Sequence, residues 1–468
     1  MRFPLEPSRD ESRRLIEVAR DLVLDFVDEL PSSAAADLDS ATEFAAGLRA
    51  DPWPELPEDL DEIFQLVKAG AAKAFNTTGP GYMAFIPGGG LISAAVADFL
   101  ACATNRFVNV WNAAPAFAEI EATVIRWLSQ LFGFSADARG ILTSGGSMAN
   151  FSAIIAARHA LLPENFLSGT AYVSDQAHLS VAKAALLAGF PRANVRTVPT
   201  TADMRMDVAA LRTQIEEDRE AGLIPFFVVA SAGTTNTGAV DPIANVGEVA
   251  RKFGLWFHID AAYGGFFHLT QRGQGLFRGI ERADSITLDP HKGMFLPYGT
   301  GCLLVREGHR LRDAHHIQAD YLQDLAGEED IPNFSEYSPE LSRDFRGLRV
   351  WLPLKLHGAR AFRAALDEKL DLAQQLYRGL REVPGLELPW IPELTVVPFR
   401  AAAVNGDSNA ATRRLLAEIN SSQRVFMSST ILDGSFTIRA CILCHRTHED
   451  RVAEAIEIIA KAAAATTG

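Results

Sequence analysis

Short apolar runs and amphipathic stretches alternate along the chain from about residue 115 onward. Pro115 to Leu131 carries apolar residues at helical spacing and opens on proline, which predicts a helix. Apolar runs predict strands at 140–143, 171–174, 225–230, 255–259 and 302–305. Helical spacing fills the intervals at 147–161, 178–189, 207–221 and 243–253. Buried strands separated by helices are typical of an α/β fold with a mainly parallel central sheet.

The two ends of the chain have a different pattern of predicted helices and strands. Amphipathic helices are predicted at 11–30 and 59–75, separated by sequence that includes the proline-rich run DPWPELPED. Beyond residue 356, helices at 356–382, 408–420 and 448–464 surround short strands at 394–399 and 435–440, which is an α+β pattern. We therefore expect an N-terminal helical segment at a subunit interface (1–88), a large domain (89–355) and a small C-terminal domain (356–468).

Composition excludes some classes of function. The 468 residues are 48% hydrophobic and 22% charged, the balance of a globular protein. A formal net charge of −14 argues against nucleic acid as a partner, because phosphate binding needs a basic surface. The start, MRFPLEPSRDESRR, lacks the apolar core of a secretory signal, and prolines and glycines break the uncharged run between Lys73 and Asp98. We expect a cytoplasmic protein with no membrane contact.

The four cysteines do not form a disulfide framework in a chain of this length. Cys441, Cys444 and His445 match the C-x-x-C-H pattern of haem attachment, and C-x-x-C alone also occurs in metal and redox sites. The motif continues the strand-like run FTIRACIL and no export signal accompanies it. We therefore predict packing cysteines and no metal site.

Four groups of residues follow predicted strands, where ligands bind in open α/β sheets. The first, Thr143–Ser147 (TSGGS), joins a strand to a helix, and its small residues let backbone N–H groups approach an anion. Ser147 is either a phosphate ligand or only a helix N-cap. The second group ends at His178 in SDQAH, which is either a ring-stacking and proton-shuttling group or a structural histidine.

The other two groups carry charge. Asp260 follows the apolar run LWFHI and precedes small Ala261 and Ala262. A carboxylate there needs a positive partner, such as a pyridinium N–H, unless it only caps the next turn. Lys292, in DPHKG, precedes the uncharged run GMFLPYGTGCLLV. Burial lowers the pKa of a lysine and frees its amine for a Schiff base, whereas the alternative is a lysine that reaches the surface.

Five sequence blocks occur in the order and spacing of the group II pyridoxal-phosphate (PLP) decarboxylases. They are TSGGSMAN (143–150), AYVSDQAH (171–178), FFVVASAGTTNTGAVDPI (226–243), LWFHIDAAYGG (255–265) and ADSITLDPHKG (283–293). The chain resembles that family from about residue 75 to its C-terminus, and within it the aromatic-L-amino-acid decarboxylase branch. The resemblance implies the fold type I of PLP-dependent transferases, pyridoxal 5′-phosphate as cofactor, and a homodimer with active sites at the subunit interface. It also implies removal of the carboxylate from an L-amino acid to give the amine and CO₂.

The resemblance also implies a role for individual residues. Lys292 forms the Schiff base, Asp260 pairs with the pyridine nitrogen, Ala262 packs on one face of the ring, and His178 stacks on the other face near the substrate carboxylate. Further cofactor contacts are expected at Ser147, Met148, Thr235, Asp289 and His291. Substrate contacts are expected at Phe85, Pro87, Phe107 and Arg439.

Three positions depart from the family pattern. Phe334, counted back from Phe345 without gaps, stands where the family has a mobile-loop tyrosine that reprotonates Cα. Relatives with this replacement form aldehydes by oxygen-dependent decarboxylation and deamination. Tyr337 lies three residues on and is our candidate proton donor. Asp289 replaces an asparagine and Thr77 replaces an aromatic-pocket tryptophan, which weakens the case for an aromatic substrate.

We nevertheless predict decarboxylation of an aromatic L-amino acid to its amine. Aldehyde formation is the first alternative, and hydrogen peroxide and ammonia released with CO₂ would identify it. An aminotransferase or C–S lyase on the same fold would keep the substrate carboxylate in the product. A binding or regulatory protein that lacks catalysis would lack the yellow colour of a lysine-bound cofactor.

Overall fold

Two β-sheets organise the chain, whose structure, a computed structural model, describes residues 5–316, 333–402 and 407–467. The larger sheet contains β1 (Arg139–Thr143), β2 (Gly169–Ser174), β3 (Val195–Val198), β4 (Ile224–Ser231), β5 (Trp256–Ala261), β6 (Ser285–Leu288) and β7 (Gly301–Val305). The smaller sheet contains β8 (Leu386–Glu387), β9 (Val396–Ala401), β10 (Ser428–Leu432) and β11 (Ser435–Cys441).

Helices lie before, between and after these strands. Those before β1 are α1 (Arg9–Glu29), α2 (Ala41–Ala50), α3 (Leu60–Ala72), α4 (Ile92–Thr104) and α5 (Pro115–Leu131). Those among the strands of the large sheet are α6 (Gly146–Leu161), α7 (Leu179–Leu187), α8 (Val208–Glu220), α9 (Ile243–Phe253), α10 (Gln271–Leu276) and α11 (Pro290–Gly293). The remaining helices are α12 (Gly308–His315), α13 (Gly347–Arg381), α14 (Ser408–Ser421) and α15 (Glu449–Thr467).

The large sheet has the strand order β1-β7-β6-β5-β4-β2-β3. Strands β3, β2, β4, β5 and β6 pair in parallel, and β7 is antiparallel to both of its neighbours. Every residue of β2 and β5 is buried, because helices cover both faces of the sheet. The predicted fold class, a mainly parallel α/β sheet followed by an α+β C-terminal region, is confirmed. The carboxyl ends of the parallel strands therefore meet at one edge.

The small sheet is antiparallel, in the order β10-β11-β9-β8. It packs with α14 and α15 around a second apolar cluster that includes Phe399, Leu415 and Ile438. The long helix α13 begins nine residues before the predicted start at 356, and Gly358 interrupts it with a φ of 72° and a ψ of 151°. This break lies close to the boundary expected between the large and small domains.

The N-terminal helices leave much apolar surface uncovered. None of the residues of α1, α2 or α3 is buried, and Leu24 and Val67 are 54% and 56% exposed. Sequence periodicity predicted α1 and α3 but missed α2, which is short. In the described part of the chain, no helix is both long enough and apolar enough to cross a membrane.

Candidate active site

A cavity of about 200 Å³ lies at the carboxyl edge of the large sheet. Because parallel strands end at the same edge, side chains distant in sequence converge there. Eight predicted site residues line it, namely Ser147, His178, Thr235, Asp260, Ala262, Asp289, His291 and Lys292. This convergence makes the cavity the candidate active site.

Lys292 follows β6 in the short helix α11 and is largely buried. Its Nζ lies 2.9 Å from Oδ2 of Asp289, three residues earlier. Burial alone lowers the pKa of the Lys292 amine, but the charge and hydrogen bond of Asp289 outweigh burial, so the pKa is raised above its ordinary value. The lowered pKa expected from burial is therefore wrong, because that reasoning left Asp289 out.

His291 is fixed by the backbone beside this pair. Its Nδ1 lies 2.7 Å from the carbonyl oxygen of Thr300, and since a carbonyl only accepts, Nδ1 carries the proton. Burial lowers the pKa of His291, which favours the neutral ring. Its Nε2 is 3.6 Å from Asp289 Oδ2, and Asp289 Oδ1 is buried with no hydrogen-bond partner among the described residues. The Asp289 carboxylate can therefore accept a further hydrogen bond at this wall of the cavity.

Asp260 lies near the end of β5, with its carboxylate at the cavity wall. Oδ1 accepts a hydrogen bond of 3.1 Å from the backbone N–H of Ala262, and Oδ2 accepts one of 3.1 Å from Nδ2 of Asn150. Both donors are neutral. They orient the carboxylate and leave its charge available to a positive group in the cavity.

His178 is the N-cap of α7. Its Nδ1 accepts from the backbone N–H of Ser180 at 3.3 Å and lies 2.7 Å from the Ser180 hydroxyl, which donates to the same nitrogen. Burial lowers the pKa of His178. The imidazole is therefore neutral, with its proton on Nε2.

The start of α6 fits an anion. Its N-cap, Gly145, offers no side-chain hydrogen bond, and the first N–H groups of a helix lack partners within the helix. A Cβ on Gly146 would lie 3.1 Å from Asp289 Oδ2 and 3.2 Å from Ala262 Cβ, so glycine keeps this space open. Ser147 lines the cavity, whereas the predicted ligand Met148 does not. An open helix start, a buried acid and a buried lysine in one cavity fit the phosphate, ring nitrogen and aldehyde of pyridoxal phosphate.

Arg439, on β11, does not line this cavity. Its guanidinium donates to the carbonyl oxygens of Thr235 and Asn236 and, over 3.0 Å, to Oγ of Ser428. In this conformation the predicted substrate ligand instead joins the small sheet to the loop that carries Thr235.

The predicted apolar substrate contacts also lie outside the cavity of their own chain. Phe85 is 55% exposed and Phe107 is 37% exposed, while Pro87 is buried. The segment nevertheless passes close by, because a Cβ on Gly88 would lie 2.3 Å from the carbonyl oxygen of His291.

Tyr337 and Phe334 line a different cavity of about 370 Å³, against α5 and β1. Phe334 is buried, and the guanidinium carbon of Arg343 lies 5.2 Å from the centre of its ring. Apolar packing against α5 accounts for this position. The structure therefore does not bring the candidate proton donor Tyr337 to Lys292 of the same chain.

Sequence reasoning missed Asn150 and Ser180, which line the cavity and hold Asp260 and His178. Asn150 is the last residue of the block TSGGSMAN, and a buried asparagine one helical turn after Ser147 was the available signal. Cys441 and Cys444 are buried free thiols, and burial raises the pKa of Cys441 to about 11. Among the described residues, no cluster of three or more His, Cys, Asp or Glu side chains is placed to hold a metal ion.

Comparisons with known proteins agree with this site. The model of the pyridoxal-dependent decarboxylase conserved domain matches residues 45–402. An aromatic-L-amino-acid decarboxylase from Bacillus atrophaeus is 36% identical over 95% of this chain and 93% of its own. A phenylacetaldehyde synthase from Arabidopsis thaliana is 29% identical over 88% of each chain. The crystal structure of Oryza sativa TDC with PLP and tryptamine superposes with a TM-score of 0.93 over 100% of both chains, at 27% identity.

These matches cover most of the chain, including every residue of the cavity. The protein uses pyridoxal phosphate and is a carboxy-lyase that acts on an L-amino acid. The chain belongs to the pyridoxal-dependent decarboxylase family.

Proposed function

We propose that the chain decarboxylates an aromatic L-amino acid to the corresponding amine, with Lys292, Asp260 and His178 as its catalytic residues. The observation that carries this proposal is the convergence of these three side chains on one cavity. Aromatic specificity is supported by the relative from Bacillus atrophaeus and by the exposed rings of Phe85 and Phe107.

Bound pyridoxal phosphate supplies an electron sink for the charge that develops at Cα when CO₂ leaves. Lys292 would supply the amine that holds the aldehyde, and the Asp289 carboxylate, 2.9 Å from Nζ, holds that amine protonated before the aldehyde binds. The Asp260 carboxylate holds a proton on the ring nitrogen. His178 presents Nε2–H and orients the substrate carboxylate for cleavage. Residues of this chain thus set orientation and proton positions.

The remaining cofactor contacts follow from position in the cavity. Ser147 and the start of α6 would hold the phosphate, and Thr235 and His291 also line the cavity. Ala262 and His178, which line the same cavity, would hold the ring between them. Met148 has the weakest support of the predicted ligands, because it does not reach the cavity.

We infer that the working form is a cytoplasmic homodimer. The apolar faces of α1, α3 and α4 support this, since Leu24, Val67 and Phe99 are each more than half exposed. A second copy would cover these faces and bring Phe85, Phe107 and Tyr337 to a neighbouring cavity. We retain the division into 1–88, 89–355 and 356–468, which the break in α13 at Gly358 supports. Sedimentation of L24E/V67E as a monomer is expected, and a dimer in that variant would contradict the assignment.

The decisive experiment incubates the holoprotein with a panel of L-amino acids and measures CO₂ and product mass. We expect aromatic substrates to yield equal amounts of CO₂ and amine, and Lys292→Ala to lack both the yellow colour and the activity. A product that retains its carboxylate would identify an aminotransferase or lyase instead.

Aldehyde formation is the second candidate, favoured by Phe334 and by the phenylacetaldehyde synthase relative. It requires oxygen and releases hydrogen peroxide and ammonia. The same panel run with an oxygen electrode and a peroxide assay separates the two, because amine formation consumes no oxygen.

A further inference from the structure

A line of buried hydrogen bonds runs along the large sheet to the cavity. His258 and Asp260 lie two residues apart on β5, so their side chains share one face of the sheet. Asn150, on α6, bridges them. Its Nδ2 lies 3.1 Å from Asp260 Oδ2, and its Oδ1 lies 3.0 Å from Nε2 of His258.

The direction of these hydrogen bonds follows from their ends. An ionised carboxylate only accepts, so the amide of Asn150 turns its NH₂ toward Asp260 and its oxygen toward His258. His258 Nε2 must then donate, which leaves Nδ1 to accept from the Ser285 hydroxyl at 2.7 Å. Ser285 in turn accepts from the indole N–H of Trp256 at 2.8 Å. Every donor in the series points toward Asp260.

The protonation of His258 agrees with this direction. The side chain is fully buried, and burial lowers the pKa of His258 to about 4. The ring is therefore neutral near pH 7 and carries the single proton that the series requires. Thr287 Oγ1, 3.3 Å from the same Nε2, is a second acceptor for that proton.

A second branch leaves Asn150 toward the opposite wall of the cavity. The other hydrogen of its NH₂ points to Oγ of Ser180, 3.0 Å away. The Ser180 hydroxyl donates to His178 Nδ1, which keeps the proton of His178 on the nitrogen that faces the cavity. The Asn150 amide thus contacts Asp260 directly and His178 through the Ser180 hydroxyl.

We propose that Asn150 is a positioning residue that orients Asp260 and His178 together, and that His258 acts only by fixing the orientation of the Asn150 amide. The inference deepens the function proposed above and rests on its cofactor. A side-chain amide carries two N–H donors on its nitrogen and an acceptor oxygen beside it. Glutamine is the other residue with this group, but its side chain is one methylene longer. Aspartate at 150 would place a second carboxylate against Asp260 and supply no donor.

The first test compares Asn150→Leu with Ser152→Ala as a matched control. Ser152 lies on the same helix and is equally buried, and its hydroxyl has no hydrogen-bond partner in the part of the chain that the structure describes. The readouts are the Kd for pyridoxal phosphate and the visible circular dichroism of the bound cofactor. We expect N150L to weaken binding by about 10- to 100-fold, the scale found for residues that orient metal ligands, and to reduce the dichroism. Equal values for both variants would overturn the proposal.

The second test uses His258, and its comparison of His258→Gln with His258→Leu remains informative even if N150L fails to fold. The side-chain amide introduced by His258→Gln can still donate an N–H to the Asn150 oxygen, whereas the side chain introduced by His258→Leu cannot. We expect H258Q to keep cofactor affinity within about threefold of the wild type and H258L to lose most of what N150L loses. The double variant N150L/H258L should match N150L. Equal losses in H258Q and H258L, or additive losses in the double variant, would show that His258 does not act through Asn150.

Thermal unfolding of the apoproteins separates this role from general packing. A packing defect lowers stability and affinity together in all variants at 150 and 258. If His258 acts only by positioning Asn150, H258Q keeps its affinity for the cofactor whatever its thermal stability. Activity on any amino acid is not needed for these readouts, so failure of the proposed substrate class leaves the test intact.

Discussion

Replacing Asp289 by asparagine tests how the chain sets the reactivity of Lys292. The Asp289 carboxylate lies 2.9 Å from Nζ and raises the pKa of the amine despite burial. Asparagine keeps the size and a hydrogen-bond acceptor but removes the negative charge. The charge of Asp289, the largest influence that opposes burial, is then lost and only the weaker influences of Asp260 and Tyr298 remain, so the pKa of Lys292 falls in Asp289→Asn. More of the amine is neutral at pH 7, and only the neutral amine attacks an aldehyde.

A hydrogen bond to a charged group contributes about 1.5–3 kcal/mol, against about 1 kcal/mol for a neutral one. The difference, about 0.5–2 kcal/mol, corresponds to roughly a 2- to 30-fold larger population of neutral amine. We therefore expect the apoprotein of D289N to condense with pyridoxal about 2- to 30-fold faster than the wild type at pH 7. Pyridoxal is the correct probe because it has no phosphate, so repulsion between Asp289 and a phosphate plays no part.

The assay follows visible absorbance after mixing apoprotein with excess pyridoxal, under pseudo-first-order conditions. Asp313→Asn is the control, because it makes the same change in net charge at an exposed position of α12. An unchanged or slower rate in D289N, with D313N equal to the wild type, would refute the claim that Asp289 holds the amine protonated.

Three further predictions concern the same cavity. Asp260→Ala should retain the yellow colour but lose about 100-fold or more in kcat for CO₂ release, and a smaller loss would remove Asp260 from the mechanism. Gly146→Ala places a Cβ 3.2 Å from Ala262 and should cost about 1–3 kcal/mol of cofactor binding, read from the Kd. Arg439→Met leaves buried acceptors unpaired and should lower the free energy of unfolding by about 1–3 kcal/mol in urea titrations; unchanged stability with a raised KM would indicate direct substrate binding instead.

Apolar periodicity was sufficient for the elements that build the core. The predicted helix from Pro115 to Leu131 and the five predicted strands of the large sheet all occur, with bounds shifted by at most two residues. Most of the elements it missed, α2, α10, α12, β3, β8 and β10, are short or lie at sheet edges. It also missed α4, a 13-residue helix with a single charged residue and therefore little polar contrast. Val195–Val198 of β3 is an edge strand that is buried only at its last residue, so its pattern does not stand out from a loop.

The candidate site likewise contains features that the sequence predicted and features that it did not. Asp260 lies near the end of β5, and Lys292 and His178 come four residues after the ends of β6 and β2. Strand ends can be identified from sequence, so the convergence of these residues was predictable. The effect of Asp289 on Lys292 was not, because its sign depends on a distance of 2.9 Å set against burial. Arg439 was also beyond sequence reasoning, since its partners Thr235 and Asn236 lie about two hundred residues away.

The conformation of Phe85 was also beyond sequence reasoning, and it bears on the proposed dimer. It has a φ of 52°, a conformation that is strained for a bulky residue and persists only where its surroundings impose it. Those surroundings are defined: the N–H of Phe85 donates to Ser428 Oγ over 3.0 Å, the same oxygen that accepts from Arg439, while Gly88 packs against His291. The backbone is therefore held between the small sheet and α11, yet the ring of Phe85 is largely exposed to solvent. Strain that presents an aromatic ring to water has no benefit in an isolated chain, and it acquires one if a second copy receives that ring beside its own cavity.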